Sequence, residues 1–238
     1  MDRSPNAVAS RIAPAVQLAL AVAYPFLAHA ASVRASGVLA ACALATIALM
    51  VLAEGLLRGR AGAWLALAAV AAALAWLAGS RHALTPLLLV PVAFVGMIAW
   101  WFGRTLRAGR TPLIARIVSA IDGVPPAQLE PGLRAYARNL TLAWALLLAL
   151  LGLCNLVLAA IAVPRGLLTE IGITPPLSVT EEQWSWCANW LNYGLVGGFF
   201  LLEFAWRKRR FPGRYHSFFN FLMRLSRLGP AFWRGLLR

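Results

Sequence analysis

A chain of 238 residues with 61% hydrophobic and only 13% charged side chains lacks the polar surface that a water-soluble domain of this size needs. The formal net charge of +14, from 22 Lys and Arg against 8 Asp and Glu, points to nucleic acid only until the positions of the charges are considered. Cys42, Cys154 and Cys187 stand far apart with no CxxC pair, and three histidines are too few for the clusters of membrane di-iron enzymes. The sequence therefore predicts no disulfide framework, no metal and no cofactor.

Six apolar segments follow one another at about 12–31, 36–53, 61–79, 84–103, 140–163 and 185–206. Each is close to the roughly 20 residues a helix needs to cross a bilayer. The fold class read from them is all-α, a polytopic transmembrane helical bundle. Placing both termini inside puts every cation on the cytoplasmic side except Arg34, Arg81 and Arg165, as the positive-inside rule requires. The junction Trp206-Arg207-Lys208-Arg209-Arg210 is the clearest single signal of that direction: an interfacial indole, then four cations, halting a span. Inner-membrane localisation with a cytoplasmic C-terminus follows.

The first segment has a second reading, because Ala28-His29-Ala30 resembles a signal-peptidase site after an apolar stretch flanked by Arg3 and Arg11. Segment three is rich in alanine, with segments one and two nearly so. Small side chains let helices approach closely, but codon bias inflates alanine equally well. After segment four comes a basic loop, 104–139, holding Arg104, Arg107, Arg110, Arg116, Arg134 and Arg138 against Asp122 and Glu130. Thr111-Pro112 opens a helix there. Leu113, Ile114, Ile117, Val118 and Ile121 mark its apolar face, Arg116 and Ser119 lie opposite, and Gly123 stops it. A second short helix from about Pro131 leads straight into segment five. The loop before segment six carries Thr180-Glu181-Glu182-Gln183, a capping box.

The polar residues of the last two spans are the candidate chemical groups. At about 100° per residue, Asn189, Asn192, Tyr193, Val196, Phe200 and Glu203 share one stripe, with Asn155 on span five within reach. Gly194 and Gly198 form a GxxxG pair on nearly the opposite side, a helix-packing signal. The stripe reads either as a polar pocket for a headgroup or proton, or as interhelical hydrogen bonding that fixes packing. No GxSxG, Walker loop, GxGxxG or HExxH is present, and neither His82 nor His216 begins an HxxxxD motif. No catalytic residue is assigned beyond those candidates.

The tail, 207–238, repeats the loop's pattern: Phe218, Phe219, Leu222, Leu225 and Leu228 line one side and Arg224 and Arg227 flank it. Basic amphipathic helices of this kind lie in the headgroup plane, where each cation gains about 1 kcal/mol from anionic lipid. The same arginines also suit an acidic soluble partner. Arg104, Arg107, Arg110, Arg116, Arg207, Lys208, Arg209 and Arg210 are the candidate contacts to either. Nucleic acid is excluded as a partner because these cations already face an anionic bilayer.

The run Phe102-Gly103-Arg104-Thr105-Leu106-Arg107-Ala108-Gly109-Arg110-Thr111-Pro112-Leu113-Ile114 resembles one in a family of small bacterial inner-membrane proteins. So do Asn192-Tyr193, Glu203, Arg207 to Arg210 with Phe211-Pro212, and Tyr215-His216-Ser217-Phe218. That family is encoded in gene clusters for aryl-polyene and xanthomonadin-type pigments, beside fatty-acid-synthase-like enzymes and acyl carrier proteins. The likeness covers about the second half of the chain. Ala108 and Thr111 depart from it, where the family carries Pro and an acid. Some members bear the label "ketosynthase", a chemistry that needs an α/β core presenting Cys with two His or His/Asn. No strand–helix alternation and no Cys near a His occurs here.

The resemblance implies an accessory or scaffold component of such a pathway, docking acidic acyl-carrier-linked enzymes or handling their hydrophobic product. Two rivals stand beside it: a membrane enzyme for acyl transfer or reduction working through the polar stripe, and a lipid or pigment flippase or transporter subunit.

Overall fold

The computed structural model describes residues 5–80, 82–210 and 223. Apart from one two-residue parallel ladder, Ala162–Val163 (β1) with Val179–Thr180 (β2), the described secondary structure is helical. The long helices are α1 (Pro5–Val33), α2 (Gly37–Leu57), α3 (Ala61–Ala78), α4 (Thr85–Arg104) and α6 (Pro131–Ile161), and all five are apolar and long enough to cross a membrane. The protein is thus an all-α membrane protein.

The sixth predicted segment is helical throughout but not one regular helix. A short α8 (Glu181–Trp186) passes through a π turn at Cys187–Leu191 into α9 (Asn192–Arg210). The backbone N–H of Asn192 reaches five residues back to the Cys187 carbonyl, so one extra residue is absorbed there. The amphipathic tail stripe from Phe218 to Leu228 lies outside the described residues.

The chain divides into two compact units. The first comprises residues up to Pro91 with Asn155–Asn192. Its core joins Ala28, Ala31, Ala40 and Ala43 to Leu84, Leu87, Leu88, Ala159, Ala162, Trp184 and Ala188. The alanines of α1 and α2 are therefore core residues that bring the two helices together. Those of α3 are not, since no residue of α3 is buried. Close approach recurs at Gly37, where a Cβ would lie 2.3 Å from the Ala78 carbonyl oxygen. Ser36 caps α2, its hydroxyl accepting from the Leu39 N–H at 3.3 Å. The Ala28-His29-Ala30 sequence lies inside α1, with Ala28 in the core just described.

The second unit runs over Val92–Cys154 and from Tyr193 onward. Val95, Ala99, Leu140, Trp144, Leu148 and Leu151 form its core, onto which Val196, Phe199 and Phe200 pack. Trp144 meets Phe199 edge-on at 4.7 Å. Helix α5 (Leu113–Asp122) buries Leu113, Ala115, Val118 and Ser119. Its Ala115 and Val118 pack with Leu129, Leu133 and Ala137 of the following segment. This corrects the predicted face. Ser119 lies on the buried side because its hydroxyl donates to the Val124 carbonyl and closes the helix end at left-handed Gly123. Helix α6 starts at Pro131 and continues unbroken through the fifth predicted span.

Candidate functional site

In the first unit, α6 and the π turn bring two of the candidate amides together. Asn192 Nδ2 donates to Asn155 Oδ1 at 3.0 Å and to the Ala188 carbonyl at 3.2 Å. Asn155 is 2% exposed. One amide-to-amide bond thus joins the two helices, the arrangement expected of polar contacts that fix helix packing in lipid. Nothing is described of the Asn189 side chain.

Tyr193 departs from the stripe: more than half of it is exposed. One residue beyond Asn192, its side chain leaves the helix about 100° further round. A Cβ added at Gly194 or Gly198 meets no described atom within 4 Å, so that pair packs on no described element. The close glycine contact in the second unit is Gly152 against Gly96, where a Cβ would lie 3.7 Å from the Gly96 nitrogen.

Glu203, in the second unit, is buried. Its Oε2 accepts from Arg207 at 3.0 Å and its Oε1 from the Tyr136 hydroxyl at 2.9 Å. Arg207 is itself 4% exposed, with its guanidinium over the Phe204 ring at 5.6 Å. The sequence leaves Arg207 two roles, a contact to partner or lipid and, with Arg110 as the other candidate, a pair for Glu203 one turn from the cytoplasmic end. The structure gives it to Glu203, and Lys208, Arg209 and Arg210 are the members of that cluster that face outward.

The basic loop has a defined shape. Arg104 ends α4 with its guanidinium 5.0 Å from the Trp100 ring and 5.8 Å from the Trp101 ring. Helical neighbours three and four residues back thus hold it by cation–π attraction. Thr105 Oγ1 donates to the Phe102 carbonyl at 2.8 Å and accepts from the Leu113 N–H at 3.0 Å. Thr141 Oγ1 accepts from the Ile114 N–H at 3.2 Å and donates to the Ala137 carbonyl at 2.7 Å. The residue at the head of α5 is Pro112, which offers no side-chain cap, so Thr105 in the turn after α4 and Thr141 of α6 satisfy the first two N–H groups.

Gly109, at φ 79°, takes the left-handed conformation that lets the turn double back. The product is a cleft of about 340 Å³ lined by Arg104, Thr105, Gly109, Arg110, Thr111 and Arg116. Arg104 and Arg116 are half-buried; Arg107 and Arg110 are exposed.

The first unit also carries ionic contacts outside the spans. Arg165 grips Glu181 in a two-pronged pair, Nε to Oε1 at 2.8 Å and an NH2 nitrogen to Oε2 at 2.9 Å. That hydrogen bond holds Arg165 above the ordinary arginine range, outweighing its partial burial. His82 Nδ1 lies 2.7 Å from Glu170 Oε2, and Thr85 donates to Glu170 Oε1 at 3.3 Å. His29 Nδ1 meets Ser185 Oγ at 3.0 Å, but Ser185 is fully buried, so the pair ties α1 to α8 rather than presenting a nucleophile.

Sequence reasoning missed Tyr136, Thr105 and Thr141. The Trp100/Trp101/Arg104 spacing was a readable signal for the clamp on Arg104; no local pattern marked Tyr136 or Thr141. Comparison with protein-family models, curated proteins and solved structures finds no match.

Proposed function

We propose that this protein is a non-catalytic platform of the bacterial inner membrane, with its C-terminus cytoplasmic, whose basic face holds acidic soluble partners against the bilayer. One observation carries the reading. The polar groups Asn155, Asn192, Glu203 and Tyr136 are bonded to one another or to Arg207. Arg107, Arg110, Lys208, Arg209 and Arg210, by contrast, stand exposed. Exposed guanidiniums steer and hold an acidic surface; bonded, buried amides offer a substrate little. The resemblance to the aryl-polyene and xanthomonadin-type family makes acidic acyl-carrier-linked enzymes the partners and their insoluble acyl products the reason for working at the membrane.

Co-purification with the acyl carrier protein of the same gene cluster tests this. Charge reversal at Arg107, Lys208 and Arg209 should abolish the association, and unchanged recovery overturns the docking reading. A reporter fused after Arg238 should report a cytoplasmic location; a periplasmic one would point the platform at the wrong solution. Glu203→Gln should leave the pathway's product profile intact, which separates a platform from an enzyme using that carboxylate.

A further inference from the structure

We infer that the cleft bounded by Arg104, Arg110 and Arg116 is a binding site for one phosphate-bearing anion. It deepens the docking reading, since it names a chemical group that the basic face grips. The charge is the first reason: three of the six lining residues are arginines and none is acidic. Planar guanidiniums present paired N–H donors matched to phosphate oxygens, so three arginines lining one concavity favour a multiply charged oxyanion over a diffuse negative surface.

The second reason is construction. The arginines come from three different places: the last turn of α4, the connecting turn, and the first turn of α5. Each is positioned by its own local device. Trp100 and Trp101 hold Arg104, left-handed Gly109 turns the chain at Arg110, and the threonine caps fix the start of α5 that carries Arg116. The α5 N-terminus itself does not supply the site, because its first N–H groups are already taken by Thr105 and Thr141. The arginines do, with Thr111 beside them in the lining.

The third reason is size. A volume of about 340 Å³ is several times that of a bare phosphate and falls within the range of small-molecule sites, so a phosphate ester fits with its first substituent. Two sources carry this chemistry. One is a phospholipid headgroup, which the tryptophans at the end of the apolar helix α4 favour. The other is a soluble phosphate ester.

The test uses the full chain purified in detergent and in nanodiscs. In nanodiscs, native mass spectrometry measures retention of phosphatidic acid against uncharged diacylglycerol. In detergent, calorimetry measures inorganic phosphate against sulfate and chloride. Arg116→Gln and Arg110→Gln should each weaken phosphate-dependent binding about 10-fold or more, the loss expected for one charge-assisted contact. Arg60→Gln, one exposed cation that does not line the cleft, should change it less than about 2-fold.

Retention of phosphatidic acid alone assigns the site to lipid, and binding of free phosphate alone assigns it to soluble esters. Either supports the inference if it depends on Arg110 and Arg116. Binding of neither, or equal binding by the Arg110, Arg116 and Arg60 variants, overturns it. Carrier co-purification of the same variants is read separately. Loss of anion binding in these variants with docking intact confines the arginines to the anion site and leaves the platform standing; anion binding by a parent protein that recovers no carrier keeps the site and removes the platform.

Discussion

Arg207→Met is the substitution on which the account of the second unit depends most. The Glu203 and Arg207 side chains are only 6% and 5% exposed, and both carboxylate oxygens are engaged, one by Arg207 and one by Tyr136. Replacing Arg207 leaves a buried carboxylate with one neutral donor, and breaking a buried pair from one side costs about 3–5 kcal/mol. Replacing both partners by apolar residues removes the stranded charge, so Glu203→Met with Arg207→Met should cost under about 1 kcal/mol. Tyr136→Phe removes a hydrogen bond to a charged group and should cost about 1.5–3 kcal/mol in the parent, and almost nothing once Glu203 is methionine. Reversible denaturant unfolding of the detergent-solubilised protein measures all of these. A single Arg207→Met variant no less stable than the double variant would refute the reasoning, because the carboxylate would then not need its cation.

Three further outcomes follow from the packing. Asn155→Leu should lower stability by about 0.6–2 kcal/mol, and adding Asn192→Leu should add little, since the two amides share one contact. Gly37→Ala should destabilise by about 1–3 kcal/mol because its methyl would meet the Ala78 carbonyl, whereas Gly194→Ala, with open space around it, should be neutral or stabilise by about 0.5–1 kcal/mol; thermal unfolding of the pair decides. Thr105→Val should cost about 1–2 kcal/mol through loss of the cap on Leu113, read as earlier hydrogen exchange at the start of α5.

Much of this fold was legible because the strongest signals are local. Apolar runs near bilayer length mark the long helices, and the Thr180-to-Gln183 capping box forms as its spacing demands: Thr180 Oγ1 accepts from the Gln183 N–H at 3.1 Å and Gln183 Oε1 from the Thr180 N–H at 3.0 Å. The Asn155 and Asn192 contact was also within reach, since two amides at membrane depth need partners.

What was hidden depends on residues far apart in sequence. Tyr136 lies 67 positions from Glu203, and Thr141 is 27 positions from the N–H it caps; neither has a periodicity to betray it. Ser119 was assigned to the wrong face because helical spacing ranks residues by polarity, while a serine that closes a helix end onto Val124 can be buried at small cost. The stripe reading placed Tyr193 beside Asn192 because it treated neighbouring angles as one face.

The π turn at Cys187–Leu191 has a consequence for how this chain tolerates changes of length. Deleting a single residue there restores ordinary α-helical winding and leaves Asn192 facing the Asn155 amide that it meets, whereas a deletion within the regular winding of α9 rotates every later residue by about 100°. A lineage that lost that codon would keep both its topology and its polar seam. The π turn is thus the place along this helix where a change of one residue in length is tolerated without disturbing the amide contact.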